Sequence, residues 1–192
     1  MKKITSVFFT LLLCFTSLFA QQPDKPTTSE IFHKLQKLNF LGSAMYIAAH
    51  PDDENTRIIS FLSNDVHART AYLSLTRGDG GQNLVGPEIR ESLGVIRTQE
   101  LIAARKTDGG QQYFTRANDF GYSKHPEETL EIWNKEDVLN DVVLNIRRFQ
   151  PDIIINRFNH RNPGSTHGHH TASAMLSFEA FDLVGDVNKY PE

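Results

Sequence analysis

Apolar and polar positions along this chain alternate with two periods, and the switches between them mark the elements. Ser29 opens a short amphipathic stretch with Ile31, Phe32, Leu35 and Leu38 on one side, which predicts a helix. Gly42 leads into Ala44–Ala49, an apolar run of strand length that stops at His50-Pro51-Asp52-Asp53-Glu54. Pro51 cannot donate to a sheet ladder and biases His50 towards extended backbone, so the strand ends there. Arg57 to Leu62 reads as a helix closed by Asn64-Asp65, and Arg69 to Leu75 as a second strand. Pro87 is placed to open a long helix reaching Lys106, with Ile89, Leu93, Ile96 and Ala103 on its buried stripe. Gln111 to Phe114 is a short strand, and Asn118-Asp119-Phe120-Gly121 has turn chemistry. Asp137 to Phe149 is amphipathic, with Val138, Leu139, Val142, Val143, Ile146 and Phe149 facing the core. Ile153-Ile154-Ile155 is continuously apolar and predicts a central parallel strand. A polar loop then leads to His167-Gly168-His169-His170 and a last helix, with Ser165 or Thr166 as its N-cap.

Strand and helix alternate, which implies an α/β, Rossmann-like fold: a mostly parallel sheet with helices on both faces. Such sheets bind ligands beyond the carboxyl ends of their strands. Both histidine-bearing stretches fall just past such ends, so the topology delivers them to one edge. His50 and Asp53 could then reach one cation, leaving Asp52 beside it. Acids suiting a helix dipole would explain Asp52, Asp53 and Glu54, but give no reason for His50. His167 and His170 lie three apart and share a face on a first helical turn, while His169 is expected to point elsewhere. Thr76-Arg77-Gly78-Asp79-Gly80-Gly81-Gln82-Asn83 matches neither the P-loop nor the dinucleotide spacing, and reads as a flexible loop lining the same crevice. Arg97 and Glu100 on the long helix read as an exposed ion pair of little weight.

Composition narrows the class. The 192 residues carry a formal charge of −3 and 39% hydrophobic residues, which suits one globular domain. Residues 1–20 stand apart: Lys2 and Lys3, an apolar run from Ile4 to Phe19, then Ala20 before Gln21-Gln22-Pro23. That pattern predicts a cleaved export signal, and hence a periplasmic or extracellular protein made of residues 21–192. Cleavage would remove Lys2, Lys3 and Cys14, lowering the charge to −5 and leaving no cysteine. An acidic chain without clustered Lys and Arg is a poor nucleic-acid binder, and no later segment is apolar enough to predict a membrane span.

Ala49-His50-Pro51-Asp52-Asp53-Glu54 followed by a later His-x-x-His resembles the PIG-L/LmbE family of zinc-dependent N-deacetylases. The likeness runs through residues 40–182 in motif order and spacing. It implies hydrolysis of the N-acetyl amide of an N-acetylglucosamine-type sugar or glycoconjugate by a zinc-activated water. Carried over by motif position, His50, Asp53 and His170 would hold Zn²⁺, Asp52 would be the general base and His167 would stabilise the oxyanion. Asp79 falls where the family carries an acid after the second strand. One position departs: the family often has Asp between the two later histidines, where this chain has His169. The family's sheet also generally continues beyond the point that Tyr190-Pro191-Glu192 reaches, so a longer parent protein is expected. Other readings are a non-catalytic carbohydrate-binding module, which would lack a ligand or base, and an esterase or phosphoesterase, whose two-metal version needs more ligands. Fe(II) suits the same donors as Zn²⁺.

Overall fold

The computed structural model describes residues 25–191; the expected export signal lies outside them. The chain divides into two units, residues 1–35 and 36–192. Helix α1 (Thr28–Lys37) begins in the first. Its start is fixed by a reciprocal cap: Thr27 N–H donates to Glu30 at 2.6 Å, and Glu30 N–H donates back to Thr27 Oγ1 at 3.3 Å.

The second unit holds a sheet of four parallel strands in the order β3-β2-β1-β4: β1 (Ser43–Ala48), β2 (Arg69–Ser74), β3 (Gln111–Phe114) and β4 (Ile153–Asn156). β1 is central and wholly buried, and its side chains alternate between two cores. Met45 and Ile47 join Ala71 and Leu73 of β2 beneath α5 (Lys135–Phe149) and α6 (Gly168–Leu183). Tyr46, Ala48 and Tyr72 face the other way, onto Ile59 of α2 (Thr56–Ser60) and Leu101 of α3 (Glu91–Asp108). The sheet therefore carries helices on both faces, and β1 and β4 are parallel neighbours as the motif argument required.

Three expectations need correction. β4 is an edge strand among the described residues, with Ile153 57% exposed; continuous apolarity there reflects packing of Ile154 and Ile155 on the two cores, not a central place. The long helix starts at Glu91, after turns over residues 82–90, because Arg90 sits at φ 52°, outside the helical region. Its buried stripe is Leu93, half-buried Arg97, Leu101 and Arg105, while Ile89, Ile96 and Ala103 are exposed. Helix α4 (Pro126–Trp133) was not anticipated, although Pro126 at its start and Glu127 and Glu128 in its first turn are ordinary helix-opening signals.

Candidate metal centre

The site lies at the carboxyl edge of the sheet and is built around the turn after β1. Asp53 N–H donates to the His50 carbonyl at 3.2 Å, and His50 N–H donates to Asp53 Oδ2 at 2.8 Å, so the chain curls back on itself. The buried Tyr72 hydroxyl, one strand away, also donates to the His50 carbonyl. Thr76 ties the loop after β2 to the same edge through Ala49 O, at 2.9 Å from its N–H and 3.0 Å from its hydroxyl. These bonds fix where the His50 ring stands: its Nδ1 lies 3.1 Å from Asp53 Oδ2.

The second stretch arrives on α6. His167 is the N-cap of that helix, one or two residues later than the expected Thr166 or Ser165, and its side chain makes no capping bond. His170, one turn in, places Nε2 3.4 Å from Asp53 Oδ1, and the ring is stacked on Phe158 at 3.9 Å, nearly parallel. His50, Asp53 and His170 thus present three donor atoms within 4.8 Å of one another. The set suits a divalent ion of the zinc kind, two imidazoles and one carboxylate, whose bonds would be roughly 2.0–2.2 Å. Protonation agrees: burial pushes the His170 pKa down to about 4, leaving a lone pair at neutral pH. Burial alone would lower His50 and raise Asp53, but their mutual hydrogen bond and charge outweigh it. His50 is raised and Asp53 lowered, so this spot favours positive charge.

The other expected residues fall around this group. Asp52 lines the same cleft of about 570 Å³, with its carboxylate 70% exposed at the mouth and 3.6 Å from Arg97. His167 faces His50 at 6.2 Å between ring centroids, and burial lowers its pKa. No acid bonds it among the described residues. The Tyr122 ring meets it edge-on at 4.5 Å, so packing orients it where an aspartate would. Asp79 lies apart: its Oδ1 accepts the Asp119 N–H at 3.3 Å and steadies that loop, and burial raises its pKa. The glycine-rich loop does line the crevice, through Gly80, Gly81 and Gln82. A Cβ on Gly80 would come within 2.6 Å of the Asp119 and Gly121 backbone, so only glycine allows this approach.

Three residues stand differently from their sequence reading. Arg97 keeps its 3.7 Å contact with Glu100, but it is largely buried and also reaches Asp52 inside the cleft. Asp119, read as turn chemistry, is a buried carboxylate lining the site. It follows β3, so the strand-end rule that found His50 could have found it too. His169 does not point elsewhere: it is 0% exposed, with its ring centroid 5.1 Å from His50.

The family model described as PIG-L: GlcNAc-PI de-N-acetylase matches residues 45–181. The chain belongs to this family. Among curated proteins, a mycothiol S-conjugate amidase from Streptomyces coelicolor is 26% identical over 161 residues, 77% of this chain and 54% of the relative. The PIG-L chain thus spans about half the length of that relative. Among solved structures, the N,N′-diacetylchitobiose deacetylase of Pyrococcus horikoshii superposes with a TM-score of 0.61 at 20% identity, over 88% of this chain and 64% of its own. The 4-carboxy-2-hydroxymuconate hydratase of Pseudomonas putida gives 0.58 at 16% identity, over 78% and 59%. At such identities the likeness establishes the shared PIG-L fold, which evidently hosts more than one chemistry.

Proposed function

We propose that this protein hydrolyses the N-acetyl amide of an N-acetylglucosamine-type sugar or glycoconjugate, with a divalent ion, Zn²⁺ first, held by His50, Asp53 and His170. The observation that carries the reading is the Asp53 carboxylate set between two ring nitrogens, 3.1 Å from His50 and 3.4 Å from His170, in a chain of the PIG-L family. The named amidase among its relatives supports amide cleavage.

When bound, the ion supplies a Lewis acid and an acidified water at neutral pH. The remaining work belongs to side chains. Asp52, held at the mouth by Arg97, takes the proton of the attacking water and returns it to the departing amine nitrogen. His167 donates to the amide oxygen as charge gathers on it, from a ring held by Tyr122. Gln82, Arg97, Asp119 and Tyr122 give the cleft hydrogen-bonding walls, which suit sugar hydroxyls, and its volume lies within the usual range for small-ligand sites. The apolar leader pattern over residues 1–20 supports an exported reaction.

The test is release of primary amine and acetate from N-acetyl sugars by zinc-loaded and chelator-treated protein. Amine release that follows metal content supports the reading. Turnover with water added to a substrate and no amine formed would point to hydratase chemistry instead.

A further inference from the structure

His169, where the later motif departs from the family pattern the sequence resembles, belongs to a second group of metal-ligating atoms. His50, Asp119 and His169 also present three donor atoms within 4.8 Å of one another. His169 Nε2 is buried with no hydrogen-bond partner, and stands 3.8 Å from Asp119 Oδ1, too far for a hydrogen bond. A buried polar nitrogen left unbonded is costly, and so is a buried carboxylate without a cation. Asp119 Oδ1 accepts the Gly121 N–H at 2.9 Å, and the only ion pair that Asp119 makes among the described residues is this 3.8 Å contact.

The far side of the His169 ring is already arranged as a ligand requires. Nδ1 lies 3.1 Å from Ser123 Oγ, which lies 2.6 Å from Thr129 Oγ1, and Thr129 donates on to the His125 carbonyl at 3.5 Å. With Thr129 committed to that carbonyl, Ser123 donates to Thr129 and accepts from His169 Nδ1–H. The lone pair is then on Nε2, facing Asp119 and His50. A second bond from the far nitrogen to a polar partner is the usual support of a metal-binding histidine. Gly168 makes the chain possible, since a Cβ there would come within 2.4 Å of Ser123 Oγ and 2.5 Å of the His125 carbonyl oxygen.

We propose that the cleft offers its cation a second, deeper position, ligated by His50, Asp119 and His169, beside the one framed by His50, Asp53 and His170. His50 is common to both, and a neutral imidazole carries one lone-pair nitrogen, so the two are alternative seats for one ion. Two imidazoles and a carboxylate select a borderline transition metal such as Zn²⁺, Co²⁺ or Fe(II) over Mg²⁺ or Ca²⁺. The inference rests on the metal-dependent reading above, because it takes His50 as a ligand there too.

The test is zinc binding by the metal-stripped full chain, followed by competition with a chromophoric chelator and by the visible spectrum of bound Co²⁺. The wild-type protein should bind one equivalent. His170→Ala should still bind one equivalent, more weakly, and the double variant His170→Ala/His169→Asn should bind none. Asp53→Asn, which leaves α6 untouched, gives a second route with the same expected loss on adding His169→Asn, and circular dichroism checks that each variant folds. No zinc on folded His170→Ala and folded Asp53→Asn, or double variants that bind as the single ones do, would overturn the second seat alone. No zinc on the wild-type chain would overturn both readings.

Discussion

Arg97 and Asp52 face each other at the mouth of the cleft, Nη2 3.6 Å from Oδ1, although they come from α3 and from the turn after β1. The arginine side chain is half-buried, 22% exposed, while that of the aspartate is 70% exposed, so the arginine is the fixed partner and the aspartate the one it aims. Arg97→Ala should therefore lower kcat, by less than the roughly 10²–10⁴-fold expected for losing Asp52 itself, and leave zinc binding unchanged. Glu100→Ala removes only the exposed 3.7 Å partner of Arg97 and should leave turnover as it was. Steady-state kinetics on both variants checks this; equal effects would return Arg97 to a surface role.

The same helix shows what the sequence could and could not reveal. α5 was legible because its inward face is apolar from Val138 to Phe149 except for Asn145. β1 and β2 were legible because their apolar runs end in turn chemistry. The inward face of α3 is Leu93, Arg97, Leu101 and Arg105, and a hydrophobic pattern cannot find inward arginines, which are held by Asp52 for Arg97 and by Asp108 and Glu54 for Arg105. His50, Asp53 and His170 lie together because strand ends on one sheet edge place them there. His169 stayed hidden because its burial depends on Phe120 and Trp133, which pack on its ring, and on Ser123, whereas Asp119 follows β3 and its turn setting masked a place at the same strand edge.

Arg105 anchors that face in another way. Its Nε and Nη2 grip Asp108 at 3.0 and 2.6 Å, and Glu54, at the end of the turn after β1, lies 3.6 Å away. Arginine and Asp108 are both buried, so Arg105→Ala strands a carboxylate in the core. A loss of about 3–5 kcal/mol is expected, the cost of breaking a buried pair from one side. Urea unfolding measures it; a loss under about 1 kcal/mol, as for an exposed pair, would contradict the burial argument.

Asp152 joins β4 to β1 and sets a pH dependence. Its Oδ2 accepts from Ser43 N–H at 2.7 Å and from Ser43 Oγ at 2.8 Å, and these bonds lower its pKa below 3.8. A lowered folded pKa gives stability that is present above the unfolded value of 3.8 and is lost as pH falls through the folded one. Asp152→Asn, a mimic of the protonated acid, should unfold at lower urea than wild type at pH 7. The two midpoints should converge as pH drops well below 3.8. A gap that persists in acid would mean the charge is not the source.

Asp52 and Asp53 are neighbours with opposite surroundings, and their variants should separate base from ligand. Asp53 is held between His50 and His170, its charge favoured by both, whereas Asp52 touches neither ring and turns to Arg97 and solvent. Asp52→Asn should keep zinc affinity and lose about two to four orders of magnitude in kcat, the range for a missing acid–base group. Asp53→Asn removes the carboxylate from the outer seat, so zinc affinity itself should fall, and activity with it, because any ion that remains sits deeper, towards Asp119. Zinc affinity and amine release are measured side by side on the two variants. Full turnover in Asp52→Asn, or an equal fall in zinc affinity for both, would reverse the assignment of roles.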